Sequence, residues 1–388
     1  MSRENETVAR TEERGRRPTW AEIDLDALAS NFQRVREQAG RGVKVMAVVK
    51  ANAYGHGVRD CASRLAAEGA DWFAVATPEE GEELRSTGIR QPALSLGGFW
   101  AGQEQLCVRE RIIPVVYHLE MIEALDRAAL AAGTVADIHL KIDTGMGRLG
   151  VRFDEVGEFV DALRAYRNVR VDGLMTHFAA ADDPDLNHFT SEQAERLRLA
   201  DETLRSREYA PGHVHLANSA GTFGSIAAVG NMVRTGGVLY GLWRDVLPPT
   251  IDSPRLRPVM SLYTRITLLK RVSAGETLGY GRTFEAPRET MVATLPIGYN
   301  DGYVRVLSNR GRVIVRGQYA PVVGLISMDL TLIDVTDVRG VELNDRVTLI
   351  GEEGGLSVTA EDLAKTAGTL SYEITCGISA RVPREYKP

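Results

Sequence analysis

Polar side chains follow the ends of five short apolar runs, and their types suit nucleophilic and acid–base chemistry. They are Lys50, Asp143, His177, Asn218 with Ser219, and Arg234. Lys50 ends an apolar run, so its ammonium is expected to be partly desolvated and to lose its proton readily. A neutral amine attacks a carbonyl carbon and forms a Schiff base. A lone lysine at a strand end more often reaches out to water, but the following residues add the Tyr54 hydroxyl and a glycine turn at 55–57.

Pyridoxal phosphate is the aldehyde that best fits such a lysine. Its phosphate requires backbone N–H groups and hydroxyls. The segments 217–220 (ANSA) and 235–237 (TGG) offer both. They follow the seventh and eighth predicted strands, where barrel enzymes commonly bind phosphate. The two features together predict a pyridoxal phosphate site.

An alternation of β-branched runs and amphipathic segments must position these residues. Eight runs predict strands, and the segments between them repeat Leu, Ala and Val at helical spacing. The predicted strands are 44–50, 72–77, 93–98, 112–117, 137–143, 171–177, 213–218 and 231–236. Eight βα units predict an α/β fold of the TIM (β/α)8 barrel type, because an open sheet would be expected to have five to seven strands. The active site of such a barrel lies at the carboxyl ends of the strands.

The pattern of predicted elements changes after residue 250. Short strands separated by turn residues follow, with few helical windows between them, which predicts a C-terminal all-β domain over 251–388. The barrel domain is predicted over 19–250, and residues 1–18 are predicted to be a disordered tail. The first strand, within 21–25, has no neighbour in the barrel pattern and could pair with the β domain.

Composition excludes several classes of protein. The 388 residues are 44% hydrophobic and 25% charged, which is typical of an ordinary globular protein. A net charge of −6 with scattered arginines does not favour a nucleic acid or an anionic membrane as partner. The three cysteines suggest a reducing compartment, and the N-terminus has no run that resembles a signal peptide. We therefore expect a cytoplasmic protein with no membrane span.

Nine motifs occur in the order in which the bacterial alanine racemases carry them, and the chain resembles that family from about residue 19 to its end. The motifs are VVKANAYGHG (48–57), KIDTGMGRLG (141–150), THFAAAD (176–182), ANSA (217–220), VRTGG (233–237), GYGRTF (279–284), PIGYNDGY (296–303), SMD (327–329) and SYEITCGISARVPR (371–384). The resemblance implies a barrel with a β domain, bound pyridoxal 5′-phosphate, and interconversion of L-alanine and D-alanine to supply D-alanine for cell-wall synthesis.

The same resemblance implies two catalytic bases. Lys50 would hold the cofactor and, once displaced by the amino acid, act on one face of Cα, while Tyr280 would act on the opposite face. Racemisation needs a proton removed from one side and delivered to the other, and two bases achieve this without turning the substrate. Tyr280 would come from the partner subunit, which implies a homodimer with shared active sites. Arg148 would lower the pKa of this tyrosine and contact both cofactor and substrate.

Arg234 would face the pyridine nitrogen of the cofactor. A guanidinium essentially never gives up its proton, so that nitrogen would stay unprotonated and the cofactor would be a weaker electron sink. This favours racemisation, whereas a decarboxylase would be expected to place a carboxylate there.

The resemblance also implies roles for other residues. His177 would contact the ring, the substrate carboxylate would bind near Met328, and Lys141 would be carbamylated. The phosphate would be bound by Tyr54, Ser219, Gly236, Gly237 and Tyr372.

The sequence departs from the family pattern at a few positions. Gly237 replaces a bulkier apolar residue, Ser327 a frequent cysteine, and Leu325 an arginine of the substrate corridor, although Arg305 matches another corridor arginine. The stretch 241–249 is also less typical of the family.

Because of these departures, a racemase of serine or another small amino acid stays open as an alternative function. So do a decarboxylase or aldolase on the same scaffold and a pyridoxal phosphate carrier, although a carrier would lack the β domain.

Two patterns suggest other sites. GMGRLG (145–150) has the spacing of a dinucleotide motif, but it follows the fifth strand rather than the first and its Arg148 already belongs to the racemase motif. His213 and His215 share one strand face without a third ligand in view, and we predict no metal site.

Overall fold

The computed structural model describes residues 17–224, 230–252 and 254–388. Most of the predicted tail, residues 1–16, lies outside the described residues. The chain divides into a first unit, Leu25–Arg257, and a second unit that joins Pro258–Pro388 to the N-terminal strand β1 (Thr19–Asp24). Within the described ranges no helix has the length and apolar character needed to cross a membrane.

The first unit contains a parallel barrel of eight strands. The barrel strands are β2 (Lys44–Val48), β3 (Trp72–Val75), β4 (Ala93–Ser95), β5 (Ile112–Val116), β6 (Ala136–Asp143), β8 (Val169–Met175), β9 (His213–His215) and β10 (Met232–Thr235), and a short additional strand is β7 (Val151–Arg152). The barrel order is β10-β2-β3-β4-β5-β6-β8-β9, and β7 pairs with β6 outside this order. Backbone hydrogen bonds from Asn231 N to Val214 O and from Arg234 N to Ala217 O, both 2.9 Å, join the two edges. The predicted (β/α)8 barrel is confirmed.

Amphipathic helices connect these strands. They are α1 (Leu25–Ala39), α2 (Val58–Ala67), α3 (Pro78–Ser86), α4 (Glu104–Glu110), α5 (Leu119–Ala131), α6 (Val156–Leu163), α7 (Asn187–Ser206) and α8 (Ser219–Phe223), with 3-10 turns at Pro184–Leu186 and Gly237–Tyr240. Each of the longer helices buries one apolar face, as α2 does with Leu65 and α5 with Leu125. Helix α3 begins with Pro78 behind the N-cap Thr77, whose hydroxyl accepts a hydrogen bond from Glu80 N.

The GMGRLG segment leads into strand β7 rather than into a helix. Strand β7 lies parallel to β6, with Val151 beside Ile142. Gly150 has a φ of +132°, and a Cβ at that position would come within 2.4 Å of the Asp143 nitrogen, so only glycine fits. The segment therefore lacks the strand–turn–helix context of a dinucleotide site.

The second unit is built mainly of antiparallel strands, as predicted for an all-β domain. The strands are β11 (Met260–Arg265), β12 (Leu268–Val272), β13 (Thr277–Leu278), β14 (Phe284–Glu285), β15 (Thr290–Leu295), β16 (Arg312–Val315), β17 (Gln318–Pro321), β18 (Thr331–Asp334), β19 (Arg346–Glu353), β20 (Leu356–Val358) and β21 (Arg384–Lys387). The helices are α9 (Ala360–Ala367) and α10 (Ser371–Gly377), with 3-10 turns at Tyr280–Arg282, Tyr299–Asp301 and Arg305–Leu307.

The largest sheet of the second unit includes the N-terminal strand. Its order is β17-β16-β19-β11-β1-β21, with β20 paired to β19. Strand β1 is antiparallel to β11, where Thr19 faces Thr264, and parallel to β21. The hydroxyls of Thr19 and Thr264 lie 2.8 Å apart in the buried interior, which satisfies both groups.

A small hairpin carries Tyr280. Strands β13 and β14 pair Leu278 with Phe284, and Tyr280 lies in the connection between them. Leu278 belongs to a buried apolar cluster with Val272, Ala286, Val292 and Val323, against which Phe284 packs. The hairpin base is thus anchored in the core while its tip stays accessible.

Candidate active site

Lys50 stands where the chain leaves β2 and enters a left-handed turn. Ala51, Asn52, Ala53 and Tyr54 have φ values of 53° to 54°, in a region that costs a residue with a Cβ about 1–2 kcal/mol. Hydrogen bonds from Ala53 N to Val49 O and from Gly55 N to Ala51 O, both 2.9 Å, close the turn. A strained backbone of this kind persists only where its surroundings hold it, and it occurs most often at functional sites.

A narrow polar cradle lies beside this turn. A Cβ added to Gly236 would come within 2.3 Å of the Tyr54 hydroxyl oxygen, so the Tyr54 side chain depends on glycine at 236. The Gly236 N–H donates to Ser219 Oγ at 3.1 Å. Asn218 caps α8 by accepting from Gly221 N at 2.9 Å, which fixes the segment that carries Ser219. Hydroxyls and close backbone amides of this kind fit a phosphate group.

Arg234 lies in the barrel interior with only 3% of its surface exposed. Its guanidinium donates to His215 O, Thr176 O and Leu216 O at 2.8–3.0 Å and contacts His215 Nδ1 at 2.8 Å. Burial lowers the pKa of Arg234 to about 9, so the group is a cation at neutral pH. The side chain is therefore a fixed positive charge.

A chain of buried imidazoles extends from Arg234. His215 Nε2 lies 2.7 Å from His139 Nδ1, and His139 Nε2 points at Asp172 Oδ2, 3.6 Å away and beyond hydrogen-bond range. Burial lowers the pKa of His139, and burial with the Arg234 charge lowers that of His215. Both rings are therefore neutral, and His215 accepts from Arg234 while it donates to His139. Sequence reasoning missed His139 and Asp172.

Lys141 is a second buried amine on β6, 4% exposed. Burial, helped by the charges of Arg234 and Arg148, lowers the pKa of Lys141 to about 7. The loop after β6 is held by Asp143 Oδ1, which accepts from Gly145 N at 2.9 Å and Gly147 N at 3.0 Å. Arg148 follows in this loop and is exposed.

His177 lies next to Arg234, with its Nδ1 3.3 Å from Arg234 Nη2. Gln193 fixes the backbone here, because its Nε2 donates to His177 O at 3.0 Å and its Oε1 accepts from Ala179 N at 3.0 Å. Burial and the surrounding cations, Lys50 among them, hold the pKa of His177 well below its usual range. The ring is neutral and suited to packing against a flat aromatic group.

The predicted site residues are divided between the two units. The first unit contains Lys50, Tyr54, Lys141, Arg148, His177, Ser219, Arg234, Gly236 and Gly237, and the second contains Tyr280, Met328 and Tyr372. Tyr280 is 73% exposed and Met328 51% exposed. Tyr372 is half-buried on α10.

Two segments of the second unit, 299–300 and 327–328, run beside each other. Tyr299 N donates to Ser327 O at 3.0 Å, and Asn300 N donates to Met328 O at 3.1 Å. A Cβ added to Gly279, the residue before Tyr280, would lie 3.6 Å from the Leu325 nitrogen. The turn that carries Tyr280 therefore lies beside Leu325, three residues before Met328.

Comparison with known proteins finds relatives that match nearly the whole chain. Models of the N-terminal and C-terminal domains of alanine racemase match residues 23–243 and 259–386. The alanine racemases of Halothermothrix orenii and Geobacter sulfurreducens are 45% and 46% identical to the chain, over 96% and 95% of its length and 97% of theirs. The crystal structure of alanine racemase from D-cycloserine-producing Streptomyces lavendulae superposes with a TM-score of 0.88, at 35% identity over 96% of this chain and 97% of that one. The chain therefore belongs to the alanine racemase family.

Proposed function

We propose that this protein is a pyridoxal phosphate-dependent racemase that interconverts L-alanine and D-alanine. The observation that carries the proposal is the buried Arg234 guanidinium at the carboxyl end of the barrel that also carries Lys50. Relatives bearing the name alanine racemase match nearly the full chain, which supports alanine as substrate.

The residues of the first unit fit the cofactor. Lys50 would hold its aldehyde carbon, Tyr54, Ser219, Gly236 and Gly237 would bind its phosphate together with Tyr372, and Arg234 would face its ring nitrogen. When bound, pyridoxal phosphate supplies an electron-accepting ring that makes the Cα proton of an attached amino acid acidic. The cradle that a Cβ at Gly236 would fill supports this assignment.

The chain's own residues would move the proton. We assign the Lys50 amine to one face of Cα and the Tyr280 phenol oxygen to the other, so that one group removes the proton while the other delivers one. The exposed position of Tyr280 at a hairpin tip leaves its hydroxyl accessible to a second molecule. Arg148, together with the Met328 segment, would bind the substrate carboxylate.

Arg234 separates racemisation from decarboxylation. Its cation cannot donate a proton to the ring nitrogen as a carboxylic acid would, and three backbone carbonyls hold it in place. A pyridine ring that remains unprotonated withdraws electron density less strongly from Cα. This favours rapid return of the proton to Cα. A decarboxylase or aldolase would gain from the opposite arrangement.

We further propose a homodimer in which Tyr280 of each subunit completes the partner's site. The exposed side chains of the second unit support this, since large apolar side chains that remain exposed often mark an interface. They are Tyr280, Met328, Tyr299 and Leu330.

The enzyme would supply D-alanine for cell-wall synthesis in the cytoplasm. Cys61 and Cys107 are buried thiols outside any disulfide, which fits a reducing compartment.

Lys141 is proposed to carry a carbamate. Only a neutral amine reacts with carbon dioxide, and the lowered pKa of about 7 keeps a large fraction of Lys141 neutral. The negative carbamate would then hold the Arg148 guanidinium in the site. Isotope-labelled bicarbonate should give an NMR carbamate signal that Lys141→Met abolishes, and persistence of the signal in that variant would contradict the assignment.

Hydrogen exchange at Cα tests the function directly. Purified protein with added pyridoxal phosphate is incubated in deuterated water with L-alanine, D-alanine or L-serine, and deuterium at Cα, the opposite enantiomer and carbon dioxide are measured. We expect exchange and racemisation of alanine without carbon dioxide, and Lys50→Ala should abolish both. Faster turnover of serine would identify the alternative substrate, and release of carbon dioxide would refute the proposal.

A further inference from the structure

Glu80 joins the ends of two barrel strands through its carboxylate. Its Oε1 accepts from Ala51 N at 2.8 Å, and its Oε2 accepts from Ala76 N at 2.6 Å. Ala51 is the residue after Lys50, and Ala76 follows β3. Glu80 lies in the first turn of α3, three residues after the N-cap Thr77, so the helix itself fixes where its side chain begins. A carboxylate that accepts from two backbone amides is a strong hydrogen-bond acceptor.

The carboxylate takes two donors that the sheet would otherwise have used. Strands β2 and β3 pair in parallel, and Val49 N still donates to Ala74 O at 2.8 Å. If the ladder continued, Ala76 N would be directed at Val49 O and Ala51 N at Ala76 O. Both N–H groups are instead directed at Glu80. Val49 O is thereby available to Ala53 N, the bond that begins the left-handed turn.

The position of the Lys50 side chain depends on this exchange of partners. Four consecutive residues after it, Ala51–Tyr54, have positive φ, although only glycine adopts that region without cost. The other end of the turn is tied by Asn52 Oδ1, which accepts from Val58 N at 2.7 Å. Glu80 gives Ala51 N an acceptor on the β3 side, and a return of this segment to extended backbone would rotate Lys50 away from its place.

We propose that Glu80 is a positioning residue for Lys50. Its carboxylate ends the β2–β3 ladder, holds the left-handed turn in place, and so directs the Lys50 amine toward the cofactor. The proposal rests on the function proposed above for its consequence in cofactor binding, but the backbone effect is independent of that function. The residue acts through the backbone and touches no reacting atom.

Three variants of the full-length enzyme test the proposal. Glu80→Ala removes both acceptors, Glu80→Gln keeps one oxygen and places an NH2 group against the second N–H, and Glu83→Gln changes an exposed residue of the same helix as control. Amide hydrogen exchange of peptides spanning 49–58 and 74–78 should accelerate about tenfold in Glu80→Ala and less in Glu80→Gln. Peptides from β6 and β8 should keep their rates, as should all peptides of the control.

Cofactor binding provides the second readout. In Glu80→Ala the dissociation constant of pyridoxal phosphate should rise about tenfold, and the pH at which the absorbance of the bound cofactor changes should shift. Unchanged exchange rates in 49–58 would overturn the proposal, as would unchanged cofactor affinity in a variant whose turn has loosened. General acceleration with a lowered Tm would assign Glu80 a purely structural role and also overturn it. Absence of cofactor binding in the wild-type enzyme would instead contradict the proposed function.

Discussion

Nη1 of Arg234 lies 2.8 Å from Nδ1 of His215, so a guanidinium donates to an imidazole inside the barrel. Burial and the Arg234 charge hold the pKa of His215 well below its usual range. The ring is therefore an acceptor that does not become a second cation at neutral pH. This relationship keeps one positive charge, on Arg234, at a fixed position.

Replacing Arg234 by lysine should destabilise the barrel. An ammonium cannot reach Thr176 O, Leu216 O and His215 O together, so buried acceptors lose their donor. We expect the free energy of unfolding of Arg234→Lys to fall by about 2 kcal/mol or more, as measured by urea denaturation.

Arg170→Lys is the matched control for this substitution. Arg170 is exposed on another barrel strand, β8, and pairs with Asp137 at the surface. An exposed pair contributes about 0–1 kcal/mol, so this variant should be close to wild type. Equal losses in the two variants would contradict the role assigned to the Arg234 network.

Removing the Tyr280 hydroxyl should affect one direction of proton transfer. Tyr280→Phe is expected to lower kcat for racemisation by about 10²- to 10⁴-fold, because a positioned acid–base group contributes an effect of that size. Exchange of the Cα proton should continue with the enantiomer whose proton Lys50 removes. The measurement compares deuterium uptake with enantiomer conversion for L-alanine and D-alanine separately.

Tyr319→Phe serves as control for Tyr280. Tyr319 is an exposed tyrosine of the same unit, on β17, whose hydroxyl donates to Ser357 O. It should retain wild-type kcat. Full activity of Tyr280→Phe in both directions would remove the second base from the proposal.

Lys141 should make stability depend on pH. Its pKa of about 7 in the folded protein lies below the value of about 10.4 for an unfolded lysine. Between these values the unfolded chain binds more protons, so the free energy of unfolding rises with pH across that window. In bicarbonate-free buffer, wild type should gain up to about 1.4 kcal/mol per pH unit between pH 7 and 9 relative to Lys141→Met. Parallel pH profiles would mean that Lys141 is not the titrating group.

Gly236 and Tyr54 should be coupled. A methyl group at Gly236 would overlap the Tyr54 hydroxyl, so Gly236→Ala should displace that side chain and weaken pyridoxal phosphate binding at least tenfold. Adding Tyr54→Phe should recover part of the loss, because the overlapping oxygen is removed. A titration of cofactor absorbance measures both effects. In Gly212→Ala, where the added methyl would only touch Asp172 O at 3.8 Å, affinity should not change, and additive losses in the double variant would contradict the coupling.

Much of the barrel could be predicted from sequence because its strands are buried on both faces. Such strands are rich in apolar residues, and each of the eight predicted segments overlaps one observed barrel strand, as 44–50 contains Lys44–Val48 and 171–177 overlaps Val169–Met175. The sequence locates the strand boundaries less accurately where turn residues end the ladder early, since it predicts 93–98 and only Ala93–Ser95 pairs. Strand β7 was missed, because two residues carry no periodic signal.

The details of the site depend on contacts between residues that are far apart in the sequence, and these contacts could not be predicted from it. Glycines at 55 and 57 indicated a turn, but the left-handed conformation of Ala51–Tyr54 is held in part by Glu80, a residue 29 positions away from Ala51. In the sequence His139 is only one of four polar residues that alternate with apolar ones along β6, and the pairing of β6, β8 and β9 brings its ring to His215. The roles assigned to Lys50 and Tyr280 stay predictions until the exchange experiments are done.

The pairing of β1 constrains the order in which the chain can fold during synthesis. Thr19 bonds to Thr264, 245 positions later, and Ala21 lies beside Arg384 near the end of the chain. Residues 25–257 can therefore begin to form their barrel on the ribosome, whereas the first strand must wait until β11 has emerged and gains its second neighbour, β21, later still. That sheet is therefore completed only when β21 joins β1, after the barrel and the rest of the β domain have been synthesised.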